Sequence, residues 1–228
     1  MTSNLQRLAR VARKIEPLLG DVVFVGGAVI ELYITRPVTE KVRPTKDIDV
    51  ICQVSSLGEY RRLGKRLEEL GFGQSAAEAD PIFRWRSEDD ILDVLPDDET
   101  VLGSTNPWFA PGLEHTQRVR LADDLEIRIL SGPYLLATKL KAYGDRGKAD
   151  PHMSEDLEDV VVLVAGRPEI VEEVAGAAED LKDWLREHLD DAFPDEMIGE
   201  YVAAHLPSRN TPGLGDVVTA RIARLRAG

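Results

Sequence analysis

Two aspartates separated by one residue, Asp47 and Asp49, begin the otherwise apolar segment Asp-Ile-Asp-Val-Ile-Cys. Alternate residues of a β-strand point to the same face of a sheet, so a strand here places the two carboxylates side by side. Like charges that close repel each other unless a cation lies between them. A hard divalent ion such as Mg²⁺ prefers carboxylate oxygens and usually shares them with substrate phosphates. The pattern predicts either a metal site or an acidic pair at a loop edge, facing water beside Lys46.

A pair of glycines, Gly26 and Gly27, follows the short apolar run at 21–25 and precedes a predicted short helix at 28–34. Backbone N–H groups that no side chain shields, just before a helix, can bind phosphate oxygens. Glycines also serve strand-to-helix turns that need a positive φ or close packing, with no ligand involved. The pair gains meaning from its order along the chain: strand, Gly-Gly, helix, loop, and then Asp-x-Asp on the next strand.

A third carboxylate, Asp93, lies within the apolar segment Ile-Leu-Asp-Val-Leu at 91–95. On a strand beside Asp47 and Asp49, it would complete a two-metal site and could accept a proton from an attacking hydroxyl. The alternative is an exposed residue on an edge strand. The neighbouring acidic residues have no such apolar surroundings and are predicted to lie in turns: Asp89, Asp90, Asp97 and Asp98.

Composition sets few limits on the ligand. The 228 residues carry a formal net charge of −13, but residues 168–200 alone hold 12 acidic and 2 basic side chains. This local acidic stretch is predicted to be a solvated helix face, so the total charge argues only weakly against a polyanionic substrate. No apolar run is long enough to cross a bilayer, no signal-peptide pattern is present, and Cys52 is the single cysteine. We expect a cytoplasmic protein without a disulfide.

Hydrophobic periodicity predicts an α+β fold, with a mixed α/β domain at 1–130 followed by a helical domain at 131–228. Helices are predicted at 4–18, 57–70, 133–143, from 154 onward, 168–190, 195–206 and 214–226. Strands are predicted at 21–25, 48–54, 81–87, 90–95, 115–121 and 125–130, with a hairpin between the third and fourth. Loops are predicted at 35–46 and 106–112, and a polar break at 144–151.

The order Gly26-Gly27, Asp47-x-Asp49 and Asp93 resembles the DNA polymerase β-type nucleotidyltransferase superfamily. That family's signature is a Gly-Gly or Gly-Ser turn, a downstream Asp-x-Asp and a third Asp on a later strand. Because this chain has Gly-Gly, only backbone donors are present at the turn. The segments 133–150 and 154–160 resemble the AbiEii-type nucleotidyltransferase toxins, which include the mycobacterial MenT toxins. The resemblance spans about residues 22–165.

The resemblance implies a polymerase β-type nucleotidyltransferase sheet with flanking helices, and Mg²⁺-dependent transfer of NMP from an NTP to a hydroxyl. The implied acceptor is the 3′ end of tRNA, and the implied partner is a cognate antitoxin. It implies two Mg²⁺ ions held by Asp47, Asp49 and Asp93, with Lys139 contacting the nucleotide phosphates and Asp156 orienting the nucleotide. Further nucleotide contacts are expected from Gly26, Gly27, Lys46 and Arg146, and Lys141 and Asp159 are the alternatives for the Lys/Asp pair.

Two other functions fit the sequence. An aminoglycoside-type nucleotidyltransferase would modify a small cationic molecule, which the acidic stretch 168–200 would suit if it lined a cleft. A non-catalytic binding or antitoxin module would keep the fold without the chemistry. The remaining chemistry-bearing side chains are interpreted as core or rim residues, with base stacking as the alternative for the aromatic ones: Trp85, Trp108, Tyr143 and Cys52.

Overall fold

The computed structural model describes residues 2–36, 42–74, 80–206 and 212–227. The chain forms two compact units, each with its own internal packing. Unit 1 comprises Met1–Val29 and Arg43–Ser131, and unit 2 comprises Ile30–Val42 and Gly132–Gly228. These units differ from the two predicted domains mainly in Ile30–Val42, which groups with the helices. Residues 37–41 of the predicted loop at 35–46 lie outside the described residues.

Unit 1 is built on a seven-stranded mixed sheet, so the mixed α/β class is confirmed. Its strands are β1 (Val22–Val25), β2 (Asp47–Cys52), β3 (Gly73–Gln74), β4 (Arg84–Arg86), β5 (Ile91–Pro96), β6 (Thr116–Ala122) and β7 (Leu125–Leu130). The strand order is β3-β4-β5-β2-β1-β7-β6. Strand β2 is parallel to β5 and antiparallel to β1, and the predicted hairpin is the antiparallel pair β4–β5.

The centre of the sheet is covered on both faces, which is why all four residues of β1 are apolar and buried. Helix α1 (Ser3–Lys14) packs against β7, and its α-helical part ends one turn earlier than predicted. A 3₁₀ turn, Glu16–Leu18, follows because Pro17 has no N–H to continue an α-helix. Helix α2 (Leu57–Glu69) lies near β5, where Tyr60 Oη donates a 2.9 Å hydrogen bond to the carbonyl of Val94.

Two short helices in unit 1 correct the sequence analysis. Helix α3 (Glu99–Leu102) is capped at its N-terminus by Asp98, whose carboxylate accepts a hydrogen bond of 2.8 Å from the backbone N–H of Thr100. Helix α4 (Phe109–Leu113) occupies most of the segment predicted as a loop at 106–112. The error has a local cause: Pro111 lies in the first turn of α4, where a missing N–H costs no helical hydrogen bond, so it does not break the helix.

Unit 2 contains α5 (Gly132–Ala142), α6 (Glu155–Gly166), α7 (Ile170–Ala175), α8 (Glu179–Ala192), α9 (Ile198–His205) and α10 (Leu214–Ala227). Nearly every residue of α5 and α6 is buried, as expected for helices apolar around most of their circumference. The single helix predicted at 168–190 is wrong: α7 ends at Ala175 with Gly176 as its C-cap, and Ala178 is extended before α8 begins. Within the described residues, no helix is long and apolar enough to cross a membrane.

Candidate active site

The three aspartates Asp47, Asp49 and Asp93 lie on two adjacent strands of unit 1. In the parallel pairing of β2 and β5, Asp49 is the direct partner of Asp93. Directly paired residues of neighbouring strands share a face, and Asp47 shares that face with Asp49 because it is two residues away. The side chain of Asp93 is almost fully buried, whereas that of Asp47 is 36% exposed. The sheet therefore collects three carboxylates on one face of two strands.

The strand before the glycine turn borders the same carboxylates. Val25, the last residue of β1, pairs with Asp49 in the antiparallel register of β1 and β2. Gly26 follows with a φ of +83°, and a Cβ atom at this position would lie 2.0 Å from Oδ2 of Asp49. Only glycine fits there, because both the backbone angle and the space exclude a side chain. Gly27 then begins a 3₁₀ helix, Gly27–Tyr33, within one residue of the short helix predicted at 28–34.

The segment that leads into β2 is held by a residue of α1 that the sequence analysis did not single out. Asn4 is buried, its side-chain amide donates to the carbonyl of Arg43 over 2.8 Å, and its side-chain oxygen accepts from the N–H of Thr45 over 3.1 Å. These two bonds fix the backbone just before Asp47. Lys46, a predicted nucleotide contact, is exposed at this bend.

An arginine that the sequence analysis missed joins two of the three carboxylates. Arg84 lies on β4 directly opposite Asp93. Its Nε and Nη2 donate to the two carboxylate oxygens of Asp93 over 2.8 and 2.7 Å, and Nη2 also donates to Oδ2 of Asp47 over 3.1 Å. The hydrogen bond to Asp93, with the charges of Asp93 and Asp47, raises the pKa of Arg84 although burial opposes the change. The guanidinium therefore stays charged at every accessible pH.

A sequence signal for this contact did exist. The hairpin turn closes with a hydrogen bond from the N–H of Ser87 to the carbonyl of Asp90. Counting outward from a two-residue loop at 88–89 pairs 87 with 90 and hence 84 with 93, which matches the observed register. The hairpin was predicted, but the pairing of Arg84 with Asp93 was not.

The three aspartates fit a hard divalent cation in chemical type, since all three carry carboxylate oxygens. They lie beside a turn at which only glycine fits. As they lie, however, no three acidic, histidine or cysteine side chains in the described ranges are arranged to hold a metal ion. The guanidinium of Arg84 already bonds Asp47 and Asp93. A metal ion at these oxygens would have to replace it.

Three of the acidic residues predicted as turn residues, Asp90, Asp97 and Asp98, have structural partners. Asp90 is buried and accepts hydrogen bonds from the guanidinium of Arg10. The sequence analysis predicted a turn residue outside the site and did not predict that its side chain is buried. Asp97 accepts a 3.0 Å hydrogen bond from the N–H of Val54. With Asp98 at the start of α3, these contacts hold loops and helix ends of unit 1.

The other predicted site residues form an ion cluster inside unit 2. Lys139 on α5 contacts Asp159 and Asp156 on α6, with Nζ to oxygen distances of 2.6 and 3.3 Å. All three side chains are at most 7% exposed. The two carboxylates are three residues apart, so they share one face of α6. Lys141, the alternative lysine, instead pairs with Asp145 at the surface.

Arg146 completes this cluster from the turn after α5. Its Nε and Nη2 donate to Asp156 over 2.7 and 3.0 Å. Burial alone would raise the pKa of Asp156, but the Arg146 hydrogen bonds and the charges of Lys139 and Arg146 hold that pKa below its ordinary value. Arg146 lies in a π-helical turn, Tyr143–Gly147, within the predicted polar break. A Cβ at Gly147 would lie 2.5 Å from Oγ of Ser154, the residue that caps α6.

The aromatic and sulfur side chains belong to the core. Trp85, Trp108 and Tyr143 are each at most 8% exposed. Cys52 is also buried, and burial raises the pKa of its thiol to about 12. The predicted core role of these side chains is confirmed, and base stacking by them is not possible without rearrangement.

No protein-family model matches this sequence, and no functionally curated protein is significantly similar to it.

Proposed function

We propose that this chain is a Mg²⁺-dependent nucleotidyltransferase that transfers NMP from an NTP to a hydroxyl acceptor. The observation that carries the proposal is the register Val25–Asp49–Asp93 across β1, β2 and β5, with the glycine turn directly after Val25. It supports the proposal because three carboxylates share one face, and carboxylate oxygens are the ligands that a hard divalent ion prefers. A phosphate cradle at Gly26 and Gly27 would lie beside them.

The proposed chemistry asks the protein for position and charge compensation. Mg²⁺ held by Asp47, Asp49 and Asp93 would offset the triphosphate charge and favour loss of pyrophosphate. The N–H groups of the Gly26–Gly27 turn would bind phosphate oxygens as hydrogen-bond donors. Asp93 would accept the proton of the acceptor hydroxyl as that oxygen attacks the α-phosphorus. A buried carboxylate with two oxygens is suited to both binding and proton acceptance.

The experiment uses labelled NTPs with the purified chain and its Asp49→Asn variant. We expect NMP transfer by Asp49→Asn to fall by at least about a hundred-fold. Loss of a residue that only hydrogen-bonds to a metal ligand can already lower activity by about that factor, and a direct ligand contributes more. Asp123→Asn, in the exposed turn between β6 and β7, is the matched control and should retain activity. Thermal unfolding of each variant checks the fold. Full activity in folded Asp49→Asn would contradict the proposal.

The acceptor and partner follow from the family resemblance alone. We propose the 3′ end of tRNA as acceptor, with the chain acting in the cytoplasm as a toxin that a cognate antitoxin neutralises. Incubation with each NTP and either total RNA or an aminoglycoside panel, read by mass spectrometry, separates this proposal from the aminoglycoside-type alternative. Transfer to neither acceptor by a chain that binds no Mg²⁺–NTP would favour the non-catalytic module.

The roles of Lys139, Asp156, Asp159 and Arg146 in nucleotide binding are a separate proposal. A lysine that balances two buried carboxylates can exchange one of them for a phosphate oxygen, since both are oxyanions. Titration of Arg146→Gln with each NTP analogue and Mg²⁺ tests this directly, because the exposed Arg146 side chain can be changed without opening the core. We expect about tenfold weaker nucleotide binding, as for loss of one charged hydrogen-bonding partner. Unchanged binding would assign the cluster to structure only.

A further inference from the structure

Arg84 contacts the acidic site in a way that the proposed function does not use. It binds Asp93 through two hydrogen bonds and Asp47 through a third, and its side chain is only 23% exposed. Carboxylates this close raise each other's energy unless a positive charge lies between them. The guanidinium supplies that charge, and it does so at the oxygens that a metal ion would need.

The neighbouring arginine on the same strand behaves differently. Arg86 lies two residues along β4, and its guanidinium bonds Asp80 over 2.8 and 3.1 Å. None of the hydrogen bonds and ion pairs described for it reaches Asp47, Asp49 or Asp93, and its charge acts on Asp93 only from a distance. The two residues have the same chemistry and lie on the same strand, but only Arg84 is directed to the site.

We propose that Arg84 is the cation that the acidic site holds in the absence of a divalent ion, and that it passes to the nucleotide phosphates when a divalent ion binds. The inference rests on the proposed function. A divalent ion and the guanidinium compete because they need the same oxygens of Asp93 and Asp47 and repel each other. Once released, the guanidinium stays tethered to β4 beside β5, and phosphate oxygens are the anions that it binds best in pairs.

This exchange makes a prediction that a purely structural arginine does not share. Removal of Arg84 should strengthen binding of the metal alone, because no internal cation has to be displaced. The same removal should weaken binding of a nucleotide in the presence of metal, because a phosphate contact is lost. A residue that only stabilised the fold would change both affinities in the same direction.

The experiment compares the wild-type chain with Arg84→Gln and with Arg86→Gln as matched control. Calorimetric titration with Mn²⁺ alone gives the metal affinity, and an Asp47→Asn/Asp93→Asn variant gives the background from other surface carboxylates. Titration with the α,β-methylene analogue of each of the four NTPs, at saturating Mn²⁺, gives the nucleotide affinity. For Arg84→Gln we expect about tenfold tighter Mn²⁺ binding and about tenfold weaker analogue binding, the effect of losing a charged hydrogen-bonding partner. Arg86→Gln should match the wild type in both.

Equal Mn²⁺ affinity in wild type and Arg84→Gln overturns the inference, and so do two changes of the same direction. If NMP transfer persists alongside equal Mn²⁺ affinity, only this inference fails and the proposed function stands. If no variant binds Mn²⁺ above background, the proposed metal site fails and the inference fails with it. Should Arg84→Gln not fold, Arg84→Lys must change the two affinities in the same opposite directions but by less, because lysine keeps a competing charge yet cannot bond both oxygens of Asp93 in parallel.

Discussion

At Gly26 the backbone has a φ of +83°, and the place where a side chain would begin is 2.0 Å from a carboxylate oxygen of Asp49. Because glycine has no Cβ atom, the end of β1 can approach the acidic face of β2. Gly147 is a comparable position in unit 2, where a Cβ would meet Ser154 and Tyr143 at 2.5 Å. At the residue scale, Gly26 leaves space for the carboxylate of Asp49, and Gly147 leaves space for the hydroxyl of Ser154.

Gly26→Ala should lower the free energy of unfolding by about 1–2 kcal/mol from the left-handed backbone alone, and by more through the collision with Asp49. The variant should also lose NMP transfer, because Asp49 has to move. Urea denaturation measures the first effect. Gly20→Ala is the control, since a Cβ at Gly20 would meet no atom within 4 Å and its φ lies outside the left-handed range. Wild-type stability in Gly26→Ala would contradict the steric argument.

At the scale of elements, helices α5 and α6 owe their pairing to apolar burial and to one ion cluster. Leu135, Leu136 and Leu140 of α5 are buried together with most of α6. Lys139 lies within this apolar contact and bonds Asp156 and Asp159. A buried ion pair adds little net stability over an apolar contact, but removal of one partner leaves the others uncompensated. The cluster therefore makes the pairing of the two helices sensitive to single changes.

Lys139→Met should lower the free energy of unfolding by about 3–5 kcal/mol, because two buried carboxylates lose their shared ammonium. Lys141→Met is the matched control on the same helix, and since its pair with Asp145 is at the surface, we expect a loss of about 0–1 kcal/mol. Denaturant unfolding followed by circular dichroism measures both. Adding Asp159→Asn to Lys139→Met should recover part of the loss. Equal effects of the two single variants would contradict the assigned burial.

For the whole molecule, the dependence of stability on pH follows from two buried groups of unit 2. Burial lowers the pKa of His205, whose Nε2 lies 2.8 Å from the carbonyl oxygen of Pro151, and the nearby His152 adds to the decrease. The unfolded chain therefore binds a proton at a higher pH than the folded chain does, and stability falls as the pH drops below about 6.5. The pKa of Asp156 is lowered too, so its stabilisation is present above about pH 4 and is lost as the pH falls through its folded value.

His205→Gln should flatten the pH dependence of the free energy of unfolding just below pH 6.5. In the wild type, this one group contributes a slope of at most about 1.4 kcal/mol per pH unit there. The decline below about pH 4 should remain, because Asp156 is unchanged. Urea unfolding at intervals of half a pH unit checks both windows. An unchanged slope near pH 6 in the variant would show that His205 does not set it.

The parts of the fold that depend on local pattern were predicted well. The apolar run at 21–25, the apolar strand predicted at 48–54 and the helical period at 57–70 each gave an element within a few residues of its observed bounds. The failures lie where local signals conflict with the fold. Pro111 suggested a loop although it occupies a first helical turn, and the apolar spacing at 168–190 concealed the break after Gly176. The burial of Asp90 had no local sign, whereas Asn4 lies on the same helical stripe as Leu8, Val11 and Ala12.

The amino-acid sequence alone determined that Asp47 and Asp49 share a face, because strand geometry relates residues two apart regardless of what surrounds them. It also indicated the hairpin that contains Arg84 and Asp93, whereas the observed turn fixed their direct pairing. Only the tertiary structure decided that β2 and β5 lie side by side with Asp49 opposite Asp93, and that one guanidinium reaches both Asp93 and Asp47. Parallel strands distant in the chain have no turn to set their register, so the packing of the whole core selects it.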